Sequence, residues 1–341
     1  MTGFIEVAGI ASKITVQDLG RPGFTAMGLA PGGAADRRAL WEAAALLDLP
    51  APGAALEMPL AGGRFRLTAA SRIALTGAPM RAYCEGRALA WNASHLIPAG
   101  ALIEIGAAEA GVYGYLSLAG GIATPERLGA RATLAAAGLG TVLAAGMRLP
   151  FAPDPAAETP SRCLPTPARF SGGTLRVIEG PQTAFFDPQT RARAFANTFA
   201  AGPANRQGLP LHHDGAPFQS RSAALLSDFI TAGDIQITGA GMPVILLAEC
   251  QSIGGYPRLG TVIPADLPIA AQARPGTPLR LLPISLEAAE SASPPEPAQF
   301  AALRRSCTSL IRRPDDIPDL LGYQLISGVV RGDEEDGCGS I

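Results

Sequence analysis

The sequence predicts a mainly β protein with a few helices, and three observations lead to that prediction. Short stretches of β-branched or alternating apolar residues recur along the chain, among them FIEVAG, RIALTG and PVILLAE. Gly, Pro and Asp separate these stretches, which is typical of strands joined by turns. Helical periodicity is confined to ADRRALWEAAALLDL near the start, RARAFANTF in the middle and a weaker PAQFAALRR towards the end. This balance favours barrels or sandwiches that carry a few helices.

A Pro-rich break between Pro150 and Gly173 divides the chain into two strand-rich halves. Its composition is that of an extended linker. The last residues, RGDEEDGCGSI, are acidic and rich in glycine, so we expect the end of the chain to be mobile. The predicted organisation is an N-terminal domain at 1–150, a linker at 151–173, a C-terminal domain at 174–285 and a mobile tail with a short helix at 286–341.

Composition excludes several classes of function. The chain has a formal net charge of −2 and no cluster of basic and aromatic residues, so nucleic acid is not an expected partner. It has neither an apolar run of about eighteen residues nor a signal-peptide pattern, so we expect a cytoplasmic protein without a membrane partner. Lys13 is the only lysine and follows no glycine-rich turn. That excludes a Walker A loop, disfavours a Schiff-base lysine and leaves no candidate for biotin attachment.

Cysteine and histidine usage gives no metal site. The five cysteines are scattered and lack a C-x-x-C pair, which disfavours a disulfide framework or a structural zinc. His212, His213 and Asp214 are adjacent, but neighbouring residues on a strand point to opposite faces. We therefore expect no bound metal.

The first polar loop follows the strand-like KITVQD. Gln17, Asp18 and Arg21 precede a Pro-Gly turn. Arg21 offers a rigid fork suited to a carboxylate or a phosphate, and Asp18 would orient it or act as a base. A structural Asp18–Arg21 pair that closes the turn explains the same residues, and the sequence leaves both interpretations open.

A second polar loop ends the apolar run MPVILLAE. Gln251 precedes a Gly254-Gly255 pair, and Tyr256 follows it. Glycines permit positive φ and leave backbone amides uncovered, so a ligand would reach the main chain closely. The alternative is a tight barrel turn in which the glycines serve geometry and Tyr256 packs.

Two further polar positions stand out. Asn205 and Arg206 lie between segments that look extended, and Glu57 is a single carboxylate in the apolar stretch ALEMPLAGG. Burial would raise the pKa of Glu57 unless it is paired. Each of these residues is open to a functional or a structural interpretation.

Ten segments, in order over roughly residues 3–285, resemble the family called allophanate hydrolase subunit 2, or the C-type subunit of 5-oxoprolinase. This family also forms the second half of the urea carboxylase carboxyltransferase domain. The segments are TVQDLGRPG, PGGAADRRAL, ALEMPLAGG, ALTGAP, YLSLAGGI, LGARAT, LRVIEGPQ, ANRQG, GDIQI and the stretch from Cys250 through DLPIAAQARPG.

The resemblance implies two cyclophilin-like β-barrel domains and a partner of the subunit 1, or B-type, kind. In the oxoprolinase version a third subunit joins, and ATP drives the opening of 5-oxoproline, a cyclic amide, to glutamate. The expected activity is therefore that of a hydrolase of cyclic amide C–N bonds, within a hetero-oligomer and with ATP bound at the level of the complex. Two alternatives are a biotin-dependent carboxyltransferase-type subunit acting on urea or another amide, and a non-catalytic regulatory subunit related to antagonists of a kinase inhibitor.

The residue patterns and the resemblance together give a set of candidate site residues. The catalytic candidates are Asp18, Arg21, Arg206 and Tyr256. The ligand-binding candidates are Gln17, Glu57, Asn205, Gln251, Gly254, Gly255, Asp266 and Gln272. In this hypothesis an arginine, Arg21 or Arg206, holds a carboxylate or phosphate. The glycine amides and Tyr256 stabilise charge on the amide oxygen, where one donor is worth roughly 3 kcal/mol.

Several positions depart from the family pattern. Gly33, Ala130 and Ala132 stand where serines are usual, and Ala44 stands where asparagine is usual. Candidate loops therefore lack hydroxyl and amide groups. This predicts either a divergent paralogue with another substrate or a chain that has kept the fold and lost the reaction.

Overall fold

The computed structural model describes residues 3–221 and 225–311, and strands dominate it as the sequence predicts. The first half of the chain forms β1 (Gly3–Ile10), β2 (Thr15–Gln17), β3 (Ala55–Pro59), β4 (Gly63–Leu67), β5 (Ser71–Gly77), β6 (Met80–Cys84), β7 (Arg87–Leu89), β8 (Ala93–Ile97), β9 (Leu102–Ala108), β10 (Tyr113–Leu118) and β11 (Arg148–Phe151). The rest forms β12 (Arg162–Cys163), β13 (Gly173–Ile178), β14 (Thr198–Ala201), β15 (Gly208–His212), β16 (Asp228–Phe229), β17 (Asp234–Ile237), β18 (Pro243–Leu246), β19 (Ile253–Gly254), β20 (Arg258–Val262), β21 (Pro278–Ile284) and β22 (Thr308–Ser309).

Helices are few within residues 3–221 and 225–311, which confirms the predicted fold class. The α-helices are α1 (Arg37–Leu46), α2 (Pro188–Ala196), α3 (Leu267–Ala271), α4 (Leu286–Ala292) and α5 (Glu296–Ser306). Short 3-10 helices lie at Thr25–Met27, Ala135–Ala137, Pro181–Phe185 and Pro264–Asp266. None of the helices in the described part of the chain is long and apolar enough to cross a membrane.

The strands of the first half form two sheets that enclose one apolar core, and β12 and β22 from later in the chain join the second sheet. One sheet has the strand order β11-β1-β4-β9-β6-β7, and the other has the order β2-β3-β10-β5-β8-β12-β22. Leu56 and Met58 of β3 point into this core together with Phe65 of β4. Because side chains alternate along a strand, Ala55 and Glu57 face the other side of β3. Glu57 is thereby presented to the rest of the molecule rather than to the core.

The second half closes into a seven-stranded barrel with the strand order β13-β20-β17-β18-β15-β14-β21. Strands β13 and β21 pair in parallel and close the barrel, whereas the other neighbours are antiparallel. The barrel has its own apolar core, in which the side chains of Leu175, Ile235 and Leu279 are fully buried. Strands β16 and β19 form a separate two-stranded ribbon.

The Pro-rich segment between the halves makes buried contacts. Asp154 accepts two hydrogen bonds from the guanidinium of Arg72, at 2.8 and 2.9 Å, and both side chains are almost fully buried. Cys163 of β12 pairs with Ala93 of β8, which extends the second sheet. By its contacts the chain from Met1 to Leu310 forms one compact unit. The predicted division into domains stays a prediction.

The described part of the C-terminal segment, residues 286–311, contains two helices, where the sequence pattern indicates one. Phe300 of α5 packs against Trp41 of α1, with ring centroids 5.0 Å apart. Strand β22 pairs with β12. Residues 312–341 of the expected mobile tail lie outside the described residues.

Candidate functional site

A cleft of about 1220 Å³ lies where the first half, the barrel and helix α5 meet. Its walls come from the loop and helix start at 25–41, the barrel loops at 229–232 and 247–252, the segment at 264–269, and α5. Ligand pockets commonly enclose about 300–1000 Å³ and are mostly apolar with a few placed polar groups. The cleft is therefore the candidate functional site.

Arg206 joins the barrel to the first half close to this cleft. Its Nε donates to Glu249 at 2.5 Å, while its two Nη groups donate to the carboxylate of Glu57 and to the carbonyl oxygen of Gly33. Burial lowers the pKa of Arg206, but the charges of Glu57 and Glu249 outweigh burial and raise the pKa above its ordinary value. Arg206 is thus a permanent cation whose charge two carboxylates neutralise, and it fits a structural clamp better than a free anion receptor.

Asn205 shapes the turn that presents Arg206. Its Oδ1 accepts hydrogen bonds from the amides of Gln207 and Gly208, at 2.8 and 3.1 Å. An asparagine side chain that mimics the backbone in this way stabilises a tight turn. The structure uses Asn205 to orient its neighbour, and the predicted ligand contact of Asn205 stays a prediction.

Glu57 is buried, and both of its carboxylate oxygens accept hydrogen bonds. One oxygen meets Arg206, and the other accepts from the Ala35 amide at 2.8 Å and from the Tyr115 hydroxyl at 2.7 Å. The Tyr115 hydroxyl in turn accepts from the Asp36 amide at 2.9 Å. Burial and the nearby charge of Glu57 raise the pKa of Tyr115 well above its ordinary value. Tyr115 therefore stays protonated and donates its hydrogen bond to Glu57. The partner that a buried Glu57 is expected to need is Arg206.

Asp36 extends this buried network at the N-terminus of helix α1. It caps the helix by accepting from the Ala39 amide, and its other oxygen accepts from Arg169 at 2.7 Å and from Gln272 at 2.8 Å. Arg169 also donates to both oxygens of Glu42, each at 2.7 Å. Burial lowers the pKa of Arg169, but the two carboxylates outweigh it and raise the pKa.

The sequence does not single out Arg169, because this residue lies in a Pro-rich stretch with the composition of a linker. No motif in the sequence marks it.

Gln272 and Asp266 are placed at the same junction. The Oε1 of Gln272 accepts from the amides of Val112 and Tyr113, at 2.8 and 2.9 Å, and its side chain is fully buried. Asp266 lines the cleft and accepts from both Nε and Nη2 of Arg176, at 2.8 and 2.6 Å. Both residues bridge elements of the protein, and their predicted contact with a ligand stays a prediction.

Asp18 and Arg21 do not form the closing pair that the sequence allowed. Asp18 instead accepts hydrogen bonds from the amides of Gly20 and Arg131, at 2.8 and 2.6 Å.

Arg21 is buried, and its Nη2 donates to the carbonyl oxygen of Ala132. Gln17 is also buried and donates to the Thr133 carbonyl oxygen at 3.2 Å. Asp18 shapes the loop, while Arg21 and Gln17 lie against the same backbone stretch.

The loop from Gln251 to Tyr256 divides between the cleft and the outer surface. Gln251 and Ser252 line the cleft. Gly254 is a strand residue that pairs with Asp228, and a Cβ there would lie 2.6 Å from Nε2 of Gln236. This glycine allows close packing against Gln236 and is not part of a positive-φ turn.

Tyr256 is 51 % exposed and does not line the cleft. The catalytic role of Tyr256 and the oxyanion role of the glycine amides therefore stay predictions.

The departures from the family pattern lie around these groups. Gly33 has φ +88°, and a Cβ there would lie 2.8 Å from the Gly20 nitrogen, so this loop conformation requires glycine. Ala130 and Ala132 are buried, and Ala132 supplies the carbonyl that accepts from Arg21. Ala44 is buried in the cluster formed by α1 and Phe300 of α5.

Comparison with known proteins identifies relatives across most of the chain. Residues 27–283 match the family described as carboxyltransferase domain, subdomain A and B. The C-type subunit of 5-oxoprolinase from Escherichia coli is 30 % identical over 300 residues, which cover 85 % of this chain and 94 % of the relative. The C-type subunit of 5-oxoprolinase from Haemophilus influenzae is 28 % identical over 290 residues, with coverage of 84 % and 93 %. The urea amidolyase of Lachancea kluyveri is 26 % identical, but the match covers only 18 % of its length.

Two solved structures share the fold. The protein TTHA0988 superimposes with a TM-score of 0.74 at 29 % identity, over 82 % of this chain and 56 % of the other. The urea amidolyase of K. lactis superimposes with a TM-score of 0.77 at 23 % identity, over 88 % of this chain and 20 % of that much longer protein.

Proposed function

This chain belongs to the family of carboxyltransferase domains with subdomains A and B, and we propose that it is one subunit of an ATP-dependent amidohydrolase complex of the 5-oxoprolinase type. The observation that carries the proposal is the extent of the match to the two 5-oxoprolinase relatives. The alignments span 93 % and 94 % of those two proteins, whereas a urea amidolyase is matched over 18 % of its length.

The proposed reaction is the hydrolysis of a cyclic amide, in which water adds and the ring C–N bond breaks, so that 5-oxoproline becomes glutamate. The partners are a subunit 1, or B-type, relative and a third subunit, with ATP bound at the level of the complex. This chain would contribute the cleft between its two halves. The arginines that line the cleft, Arg37, Arg38, Arg169 and Arg176, are each paired with a carboxylate. This supports a scaffold that positions loops around a substrate rather than a self-sufficient active site.

Within this proposal the Arg206 clamp has a definite task. Arg206 holds the Gly33 carbonyl, and Glu57 holds the Ala35 amide. Ala34 and Ala35 lie in the cleft wall. The clamp would therefore fix one wall of the cleft relative to the barrel, because a shift of about 1 Å in a positioning loop is enough to lower a rate substantially.

A second candidate function is a carboxyltransferase-type subunit that takes biotin from a separate carrier. The family description and the similarity to a urea amidolyase support it. Its substrate would be urea or another amide. Such a subunit would bind a biotinylated carrier, which the oxoprolinase proposal does not require.

The test is reconstitution from separately purified components. This chain is mixed with its co-expressed subunit 1 and third-subunit partners, and ATP hydrolysis and glutamate release from 5-oxoproline are compared with mixtures that lack it. We expect both activities to require this chain. A well-formed complex that binds a biotinylated carrier and shows no glutamate release would transfer the proposal to the carboxyltransferase function.

A further inference from the structure

Arg21 is a buried cation with unused hydrogen-bond donors. It is 1 % exposed, and its Nη2 donates to the carbonyl oxygen of Ala132. Its Nε and Nη1 have no partner within residues 3–221 and 225–311. Charged groups are removed from water at a large cost unless an opposite charge or a full set of hydrogen bonds compensates them.

The other buried arginines of the described chain show the usual compensation. Arg72 forms a two-point pair with Asp154, and Arg169 is held by Asp36 and Glu42. Arg21 forms no ion pair with any carboxylate in the described ranges, and the adjacent Asp18 is occupied by backbone amides. An arginine in this state is suited to receive an external anion.

An unused acceptor lies on the same stretch of backbone. Gln17 is fully buried, and its Nε2 donates to Thr15 and to the carbonyl oxygen of Thr133. Its Oε1 has no donor in the described part of the chain. Gln17 and Arg21 thus contact consecutive carbonyl groups, one with an acceptor to offer and the other with donors.

The cleft wall next to Arg21 lacks a side chain. Gly32 lines the cleft, and a Cβ added there would lie 3.7 Å from Nη1 of Arg21, in ordinary contact. The space that a side chain would fill therefore lies beside the guanidinium. Arg21 is placed behind the cleft wall at a glycine.

We propose that Arg21 and Gln17 form a subsite for a small ligand that carries a carboxylate next to an N–H group. Arg21 receives the carboxylate, and Oε1 of Gln17 accepts from the N–H. A lactam acid such as 5-oxoproline has this pair of groups on neighbouring atoms, whereas urea has no anionic group. The inference rests on the proposed function and deepens it, since it selects Arg21 over the neutralised Arg206 as the anion receptor.

The experiment is equilibrium binding by titration calorimetry to the reconstituted complex without ATP. The probes are 5-oxoproline, 2-pyrrolidinone, which is the same ring without the carboxylate, and bicarbonate. The variants are Arg21→Gln and, as a matched control, Arg64→Gln, which removes an exposed arginine from β4. Thermal melting of each variant reports whether it is folded.

We expect the wild-type complex to bind 5-oxoproline at least 10-fold more tightly than 2-pyrrolidinone. Arg21→Gln should abolish this preference, and Arg64→Gln should retain it. Equal affinity of the wild-type complex for 5-oxoproline and 2-pyrrolidinone would overturn the subsite. This comparison uses only the wild-type complex, so it does not depend on whether a variant folds. A preference that survives in folded Arg21→Gln would also overturn it, as would Arg21-dependent binding of bicarbonate without binding of 5-oxoproline.

Turnover separates this inference from the proposed function. If the complex releases no glutamate but shows the Arg21-dependent preference, the proposed function fails and the subsite stands. If glutamate is released and the preference does not depend on Arg21, the function stands and the subsite fails.

Discussion

Arg206 and Glu57 lie 149 residues apart in the sequence and form a largely buried ion pair that joins the two halves of the molecule. The pair is part of a continuous network, because Glu57 also binds Tyr115, and the Tyr115 hydroxyl accepts from the Asp36 amide. The cleft wall at 31–35 is tied to this network through Gly33 and Ala35. The relative placement of the loops around the cleft therefore depends on a few charged contacts.

Removing the cation should destabilise the fold strongly. Arg206→Met leaves the buried Glu57 and the partly buried Glu249 without their partner, and breaking one side of a buried pair typically costs about 3–5 kcal/mol. Urea unfolding at neutral pH measures the loss, and Arg64→Met, at an exposed site, should stay within about 0.5 kcal/mol of the wild type. An Arg206→Met variant as stable as the control would show that the clamp does not hold the halves together.

The Arg72–Asp154 pair should make stability sensitive to acid. Burial raises the pKa of Asp154, but hydrogen bonds from Arg72 and the Ala156 amide outweigh it and hold the pKa below its ordinary value. Because folding lowers this pKa, its contribution is complete above the unfolded value of about 3.9 and is lost as the pH falls through the folded value. Asp154→Asn should be less stable than the wild type at pH 7, and the difference should shrink below about pH 4. Unfolding curves from neutral pH down to strongly acidic pH test this, and a constant difference would contradict it.

Restoring the serine that is usual in the family at position 33 should damage this chain. Gly33 has φ +88°, and a Cβ there would lie 2.8 Å from the Gly20 nitrogen. Gly23 has a similar φ of +94°, but nothing lies within 4 Å of its added Cβ. Gly33→Ser should therefore cost clearly more than Gly23→Ser, for which the left-handed backbone alone predicts about 1 kcal/mol. Equal melting temperatures for the two variants would show that the loop adapts to the serine.

Helix α5 should depend on one aromatic contact. Phe300 is mostly buried against Trp41 and Ala44, and a Phe to Ala change in such a site costs about 3–5 kcal/mol when the site cannot collapse. Phe300→Ala should speed amide hydrogen exchange in α5, while the barrel strands stay protected. Leu286→Ala at the exposed start of α4 is the matched control. Unchanged exchange in α5 would mean that other contacts hold the helix.

The strands were predictable from the sequence because alternation and turn residues are local signals. Glu57 was also singled out, since a lone carboxylate in an apolar stretch requires a partner, and that partner is Arg206. Arg169 could not be predicted from the sequence because its burial depends on tertiary packing against Asp36 and Glu42. The Pro-rich composition around it carries no signal for this packing. Tyr256 follows strand β19, which pairs with the distant β16, and its exposure is a tertiary property that the local pattern of the loop does not specify.

Glutamate release from 5-oxoproline by the reconstituted complex, measured against ADP formation with and without this chain, decides whether the proposed function is right. We predict that glutamate release and the ATP hydrolysis coupled to it both require this chain, and that urea does not replace 5-oxoproline. Full activity of the partner subunits in its absence, or no activity from a stable complex that contains it, would contradict the proposal.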